Sequence, residues 1–228
     1  MDTRWQVAKD DADWLRQALA YVRAAEARAL AGRGAFHIVL AGGGTPRKVY
    51  ERLAQEAHDW AHWHIWFGDE RCLPVDDPER NSRMAFEALL SKVPIPAQNI
   101  HVIPAELGAA VAAERYAQEL AGVHAFDLVL LGLGEDGHTA SLFPGHDWGE
   151  AIDAPPVLAV LDAPKPPPER VSLSARRLNC ACVVLCLVTG AGKREAVAAW
   201  RGGVALPVAA IRPACGVDVL LDPAAAVA

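Results

Sequence analysis

The chain has 228 residues, of which 52% are hydrophobic and 22% charged, and its formal net charge is −6. That apolar share excludes a disordered chain and is enough for a sizeable core. The acidic balance excludes broad non-specific nucleic-acid binding, which needs excess Lys and Arg against phosphates, but leaves room for a local basic pocket around one small anion.

The first fourteen residues, MDTRWQVAKDDADW, are polar and acidic and contain no secretory core. No stretch reaches the roughly 18 uncharged apolar residues that a membrane span requires. Five cysteines are an odd number, which argues against a disulfide framework. The expectation is a cytoplasmic chain with neither membrane nor nucleic-acid partner.

In chain order, Trp14, Leu15, Ala18, Leu19 and Val22 recur at three- and four-residue spacing and predict a helix over 11–31. The run FHIVLA predicts a strand over 36–41, followed by a helix over 46–56 and a strand over 65–67. A helix over 81–90, a strand over 100–103, a helix over 109–120 and a strand over 126–131 come next. Strands over 157–161 and 182–188, a helix over 192–200 and a strand over 217–221 complete the pattern. Several strands are unbroken aliphatic runs, as expected when both faces are covered. Strands alternating with helices predict a Rossmann-like, doubly wound α/β fold, with a mainly parallel sheet and helices on both faces. Such sheets bind ligands outside the carboxyl ends of their strands. The proline cluster DAPKPPPE at 162–169 reads as a loop, and residues 1–228 as one domain.

Four segments after strands carry chemistry. In AGGGTP (41–46), glycines let backbone approach a ligand, Thr45 is placed as a possible N-cap and Pro46 as the first helical residue. Free N–H groups at Gly43, Gly44 and Thr45 would then favour phosphate. In GDERCLP (68–74), Asp69 and Arg71 alternate and can face one pocket, or form an ion pair at the sheet edge. In GLGEDGHTASLFPG (132–145), the glycines satisfy G-x-G-x-x-G, but Pro144 and Gly145 cut any following helix to about one turn. A dinucleotide site is therefore excluded in favour of a bend presenting Asp136 and His138, histidine being the usual acid–base residue near neutral pH. Finally, Arg170 opens a strand-like RVSLS, and Lys193 in TGAGKR (189–194) sits at a helix start. Arg194 stands where a P-loop needs Ser or Thr, so that motif fails, although Lys193 and Arg170 can still supply charge to a phosphate. His58, His62 and His64 lack a completing ligand set, and Cys180, Cys182 and Cys186 read as core thiols, so no metal is expected.

Taken together, AGGGTP, GDERCLP with RNS (80–82), GLGEDGHTASLFPG, RVSLS, GAGK (190–193) and the terminal VDVLLDPAAA resemble the glucosamine-6-phosphate isomerase/6-phosphogluconolactonase family, over residues 36 to 226. The resemblance implies a fold like that of glucosamine-6-phosphate deaminase. Deaminases of this family carry a Glu five residues after the His of D-G-H, where this chain has Phe143, and a D-E-Y type segment where it has Asp69-Glu70-Arg71. Both differences point to the lactonase branch. It implies hydrolysis of 6-phospho-D-glucono-1,5-lactone in the oxidative pentose phosphate pathway, with no cofactor or metal and a sugar-phosphate lactone as the only partner, in a monomer or weak homo-oligomer. His138 would be the general base, with Asp69 orienting the substrate or His138 and Arg71 near the lactone or phosphate end. Gly43, Gly44, Thr45, Arg170 and Lys193 would hold the phosphate, while Asp136 would shape the loop. The alternatives are a deaminase-like isomerase and a sugar-phosphate-binding regulatory module. The latter would need an attached helix-turn-helix, for which the residues before the first predicted strand leave no room.

Overall fold

A computed structural model describes residues 3–227. Its centre is a six-stranded sheet in the order β1-β9-β8-β5-β2-β3, parallel throughout. The strands are β1 (Thr3–Val7), β2 (Phe36–Leu40), β3 (Trp63–Phe67), β5 (Leu128–Gly132), β8 (Val184–Val188) and β9 (Val217–Leu221). Almost every residue of β5, β8 and β9 is buried, which is why they read as continuous apolar runs. β1 escapes the sequence pattern because it is an edge strand whose polar Thr3, Arg4 and Gln6 are not needed in the core.

The strand order reverses at β2. The chain steps outward from β2 to β3, then returns to the other side of β2 for β5, β8 and β9. With right-handed crossovers, connections walking in opposite directions fall on opposite faces, so the sheet is doubly wound and a crevice opens between the ends of β2 and β5.

A second, three-stranded antiparallel sheet has the order β4-β7-β6, from β4 (Asp69–Arg71), β6 (Val157–Val160) and β7 (Arg170–Leu173). The predicted 157–161 strand therefore belongs outside the parallel sheet. The expected 100–103 strand reduces to one bridge, Ile65 to Ile100.

Helix α1 (Asp11–Arg33) starts at Asp10, whose carboxylate accepts the Asp13 N–H, and stops at Gly34 in the left-handed region with φ 71°. Its buried stripe runs through Trp14, Ala18, Leu19, Val22 and Ala25, and α1 packs against β2 and β9. The remaining helices are α2 (Gly44–Leu53), α3 (Asn81–Ala85), α4 (Ala109–Glu119), α5 (Ala175–Leu178) and α6 (Arg194–Arg201). The expected 81–90 helix keeps its length but changes pitch, since residues Phe86–Leu90 form a π-turn. Cys186 is buried as expected, whereas Cys180 and Cys182 are exposed because β8 begins only at Val184. Among the described residues, no helix is long and apolar enough to cross a membrane.

Candidate active site

The crevice at the reversal point is a cleft of ≈ 190 Å³. The end of β2 contributes Ala41, Gly42 and Gly43, the end of β3 contributes Gly68, and the end of β5 with the bend that follows contributes Gly132, Leu133, Gly134 and His138. The small sheet lends Asp69, Arg71 and Arg170, and the turn before α6 lends Lys193. Six of the eight residues singled out in the sequence thus meet in one cleft.

His138 sits on a tight bend with no helical turn, closed by Gly134 N–H to the His138 carbonyl (2.8 Å) and Gly137 N–H to the Gly134 carbonyl (3.1 Å). A Cβ on Gly134 would lie 2.0 Å from His138 Nδ1, so only glycine leaves room for the ring. His138 Nδ1 makes a direct hydrogen bond with Asp136 Oδ1. Asp136 is thus the partner of the imidazole as well as the shaper of the loop. A carboxylate on Nδ1 fixes the tautomer that leaves Nε2 unprotonated. Burial pushes the His138 imidazole below its ordinary 6.5, outweighing the bond and the charge of Asp136. Burial also works against the Asp136 carboxylate, but its hydrogen bond with His138 holds it below the usual range. The result is an imidazole that is neutral at neutral pH.

Asp69 is not hydrogen-bonded to His138. Its Oδ1 accepts from Asn81 Nδ2 (3.0 Å) and its Oδ2 from Ser141 Oγ (2.6 Å). Of the two roles expected for Asp69, orienting the substrate or orienting His138, the second falls to Asp136, because the hydrogen bond to the imidazole comes from Asp136 and none comes from Asp69. Asp69 acts on His138 only through its charge. The neighbouring Glu70 is fully buried and accepts the N–H groups of Arg71, Asn81 and Ser82, so it caps the start of α3.

Arg71 and Arg170 stand directly opposite each other across the β4–β7 pair. Like charges in that arrangement repel unless an anion lies between them. Arg71 Nη1 donates to the Glu79 carbonyl (2.9 Å), while its buried Nε has no protein partner. Arg170 donates Nε and Nη2 to the carbonyls of Pro167, Lys165 and Pro166, bonds in which Nη1 takes no part. Its fork is therefore only partly available to a ligand.

Gly43 borders the cleft, with φ 99°, and is itself the N-cap of α2, so the helix begins earlier than Thr45 and Pro46 suggested. Gly44 and Thr45 do not line the cleft. Thr45 Oγ1 instead meets Thr189 Oγ1 at 2.6 Å and ties the β2 turn to the turn that carries Lys193.

The family model described as glucosamine-6-phosphate isomerases/6-phosphogluconolactonase matches residues 9–220. The chain belongs to this family.

A 6-phosphogluconolactonase of Streptomyces coelicolor is 39% identical over 219 residues, covering 87% of this chain and 84% of that one. A probable chloroplastic 6-phosphogluconolactonase 3 of Oryza sativa subsp. indica is 40% identical over 207 residues, covering 82% of this chain. The match takes in 63% of that longer plant relative. The crystal structure of a 6-phosphogluconolactonase from Thermotoga maritima superposes with a TM-score of 0.89 at 30% identity, covering 97% of this chain and 100% of that one.

Phe143, the position at which a deaminase of this family is expected to carry Glu, lies beside the imidazole. The Phe143 ring is fully buried, with its centroid 4.9 Å from that of His138, and the Arg170 guanidinium lies 5.5 Å from the same ring. No carboxylate is placed there. The residues missed in the sequence are Asp136 as the partner of the base, and Asn81 and Ser141 as the holders of Asp69. Their signal was weak, because hydrogen bonds from residues 12 and 72 positions away leave no spacing to read.

Proposed function

We propose that this chain is a 6-phosphogluconolactonase, hydrolysing 6-phospho-D-glucono-1,5-lactone to 6-phospho-D-gluconate in the oxidative pentose phosphate pathway. The observation that carries this reading is a neutral His138, backed by Asp136 and faced by Phe143, at one end of a cleft whose other groups include Arg71, Arg170 and Lys193. A base beside an apolar ring suits water attack on an activated ester, whereas the deaminase branch is expected to carry a carboxylate at the place that Phe143 occupies here.

In this reading His138 Nε2 takes a proton from water as its oxygen bonds to the lactone C1, and charge builds on the carbonyl oxygen. The C1–ring oxygen bond then breaks, and the imidazolium returns the proton to the ring oxygen, leaving a carboxylic acid that ionises. Asp136 stabilises the transient imidazolium. Acid–base transfer of this kind contributes about 10²–10⁴-fold. Asp69, fixed by Asn81 and Ser141, is the acceptor for a sugar hydroxyl. Arg71, Arg170 and Lys193, with the N-terminus of α2 at Gly43, hold the phosphate. Gly44 and Thr45 support that turn from behind.

All of these groups come from one copy of residues 41 to 193, which supports one catalytic domain acting as a monomer or weak homo-oligomer. A cytoplasmic setting is supported by an odd number of cysteines, which suits a compartment that keeps thiols reduced.

The deciding experiment supplies the lactone, generated in situ by oxidising glucose 6-phosphate, and in parallel glucosamine 6-phosphate. Accelerated lactone hydrolysis without ammonia release is expected, and ammonia release would overturn the reading. Replacing Lys193 by Ala is expected to raise KM about tenfold or more with a smaller change in kcat, because it removes a charged hydrogen bond to the non-reacting phosphate.

A further inference from the structure

The proline-rich loop between β6 and β7 enters the mechanism above only through Arg170, yet it is tied down along its length. Arg170, 5% exposed, holds the carbonyls of Lys165 (3.1 Å), Pro166 (3.0 Å) and Pro167 (3.1 Å). The Ala163 N–H donates to the Pro168 carbonyl (2.9 Å), and the Cys72 N–H to the Glu169 carbonyl (3.0 Å). A loop fastened this way holds its backbone in place beside the cleft. One of its side chains, Lys165, reaches the catalytic bend, with Nζ 3.6 Å from Asp136 Oδ2. Asp136 thus divides its two oxygens, Oδ1 to His138 and Oδ2 to Lys165.

We propose that Lys165 is a positioning residue for the base, its ammonium drawing on the Asp136 carboxylate and thereby setting the pH range over which His138 is free to accept a proton. The inference rests on the proposed role of His138. The charged groups acting on that imidazole come from three elements: Asp136 from its own bend, Asp69 from β4 and Lys165 from the loop. Arg71, Arg170 and Lys193 line the same cleft. The two carboxylates favour the imidazolium, while the ammonium disfavours it, both directly and by sharing Asp136. Without Lys165, Asp136 would bind the proton of His138 more strongly, and the base would be spent over a wider acid range.

The test is an NMR titration of the His138 imidazole in the full chain, beside the pH profile of kcat/KM for the lactone, in the unaltered protein and in Lys165→Met, Lys165→Glu and Lys165→Arg. With the charge removed, the midpoint is expected to rise by about 0.5 pH unit, the size set by a half-exposed charge pair, with about threefold lower kcat/KM at the foot of the acid limb. Reversing the charge should move it about twice as far, and the Arg variant should titrate like the unaltered chain. Identical midpoints in the Met and Glu variants would overturn the inference. A chain that titrates as expected but hydrolyses no lactone would instead overturn the proposed function, so the two failures are distinct.

Discussion

The chemistry depends on the state of one imidazole. Asp136 and burial act on His138 in opposite directions, and burial prevails, so the ring stays neutral below its ordinary 6.5. On the proposed mechanism the neutral form is the active one, so the acid limb of kcat/KM is expected to have its midpoint below pH 6.5, which a pH profile of initial rates checks. His138→Ala should lower kcat by about 10²–10⁴-fold, the range of positioned acid–base catalysis. Asp136→Asn should lower kcat by a similar factor and move the acid limb to lower pH, since the carboxylate that favours the imidazolium is gone and the tautomer is no longer fixed. The D-G-H tripeptide made the histidine legible in the sequence. Its pairing with Asp136 was not, because two residues apart can face each other only on a bend whose geometry depends on Gly134 having no Cβ.

At the scale of elements, the site is an assembly of strand ends braced by side chains far apart in the chain. Glu70 shows this best. Read in sequence it is one charge in D-E-R, but in the fold it is a fully buried carboxylate taking the backbone N–H groups of Arg71, Asn81 and Ser82, with Arg80 Nε 3.5 Å away. It sets the start of α3, and α3 presents Asn81 to Asp69. Glu70→Gln places an amide N–H₂ among N–H donors and is expected to cost about 1–3 kcal/mol of stability. Urea unfolding should show that as a lower midpoint at an unchanged slope. The small antiparallel sheet was hidden for a related reason. β4 is only three charged residues long, so no local alternation marks it as a strand, and although RVSLS reads as strand-like, nothing local pairs β7 with a segment about a hundred residues earlier. What it achieves is to place Arg71 opposite Arg170 and to anchor the loop that carries Lys165.

Across the whole molecule, the net charge of −6 and a cationic cleft coexist because Arg71, Arg170 and Lys193 converge on one edge of the sheet. Away from that edge, near the start of β2, a second group of histidines couples the fold to pH. His37 Nδ1 accepts the Trp66 indole N–H (3.1 Å), and the ring stacks on His64 at 4.5 Å. Burial, with His64 and Arg33 nearby, pushes the His37 imidazole down to about 4. The unfolded chain takes that proton near 6.5 while the folded chain refuses it, so protons favour unfolding between these values. Thermal unfolding is therefore expected at a steady Tm above pH 6.5 and at a falling Tm as pH drops towards 4. His37→Gln should flatten that slope.

Apolar periodicity was enough to identify α1, the central strands β2, β5, β8 and β9 and the α/β class, because burial on both faces writes itself into unbroken runs such as LVLLG and VLCLV. The glycine-rich strand ends and the D-G-H tripeptide marked where chemistry would lie, since tight bends and acid–base residues are local requirements. The strand order, the edge strand β1, the partnership of Asp136 with His138, the bracing of Asp69 and the commitment of Arg170 to loop carbonyls emerged only in three dimensions. Each of these depends on which distant backbone and side-chain groups a folded sheet brings within hydrogen-bond reach, and a linear pattern carries no record of that distance.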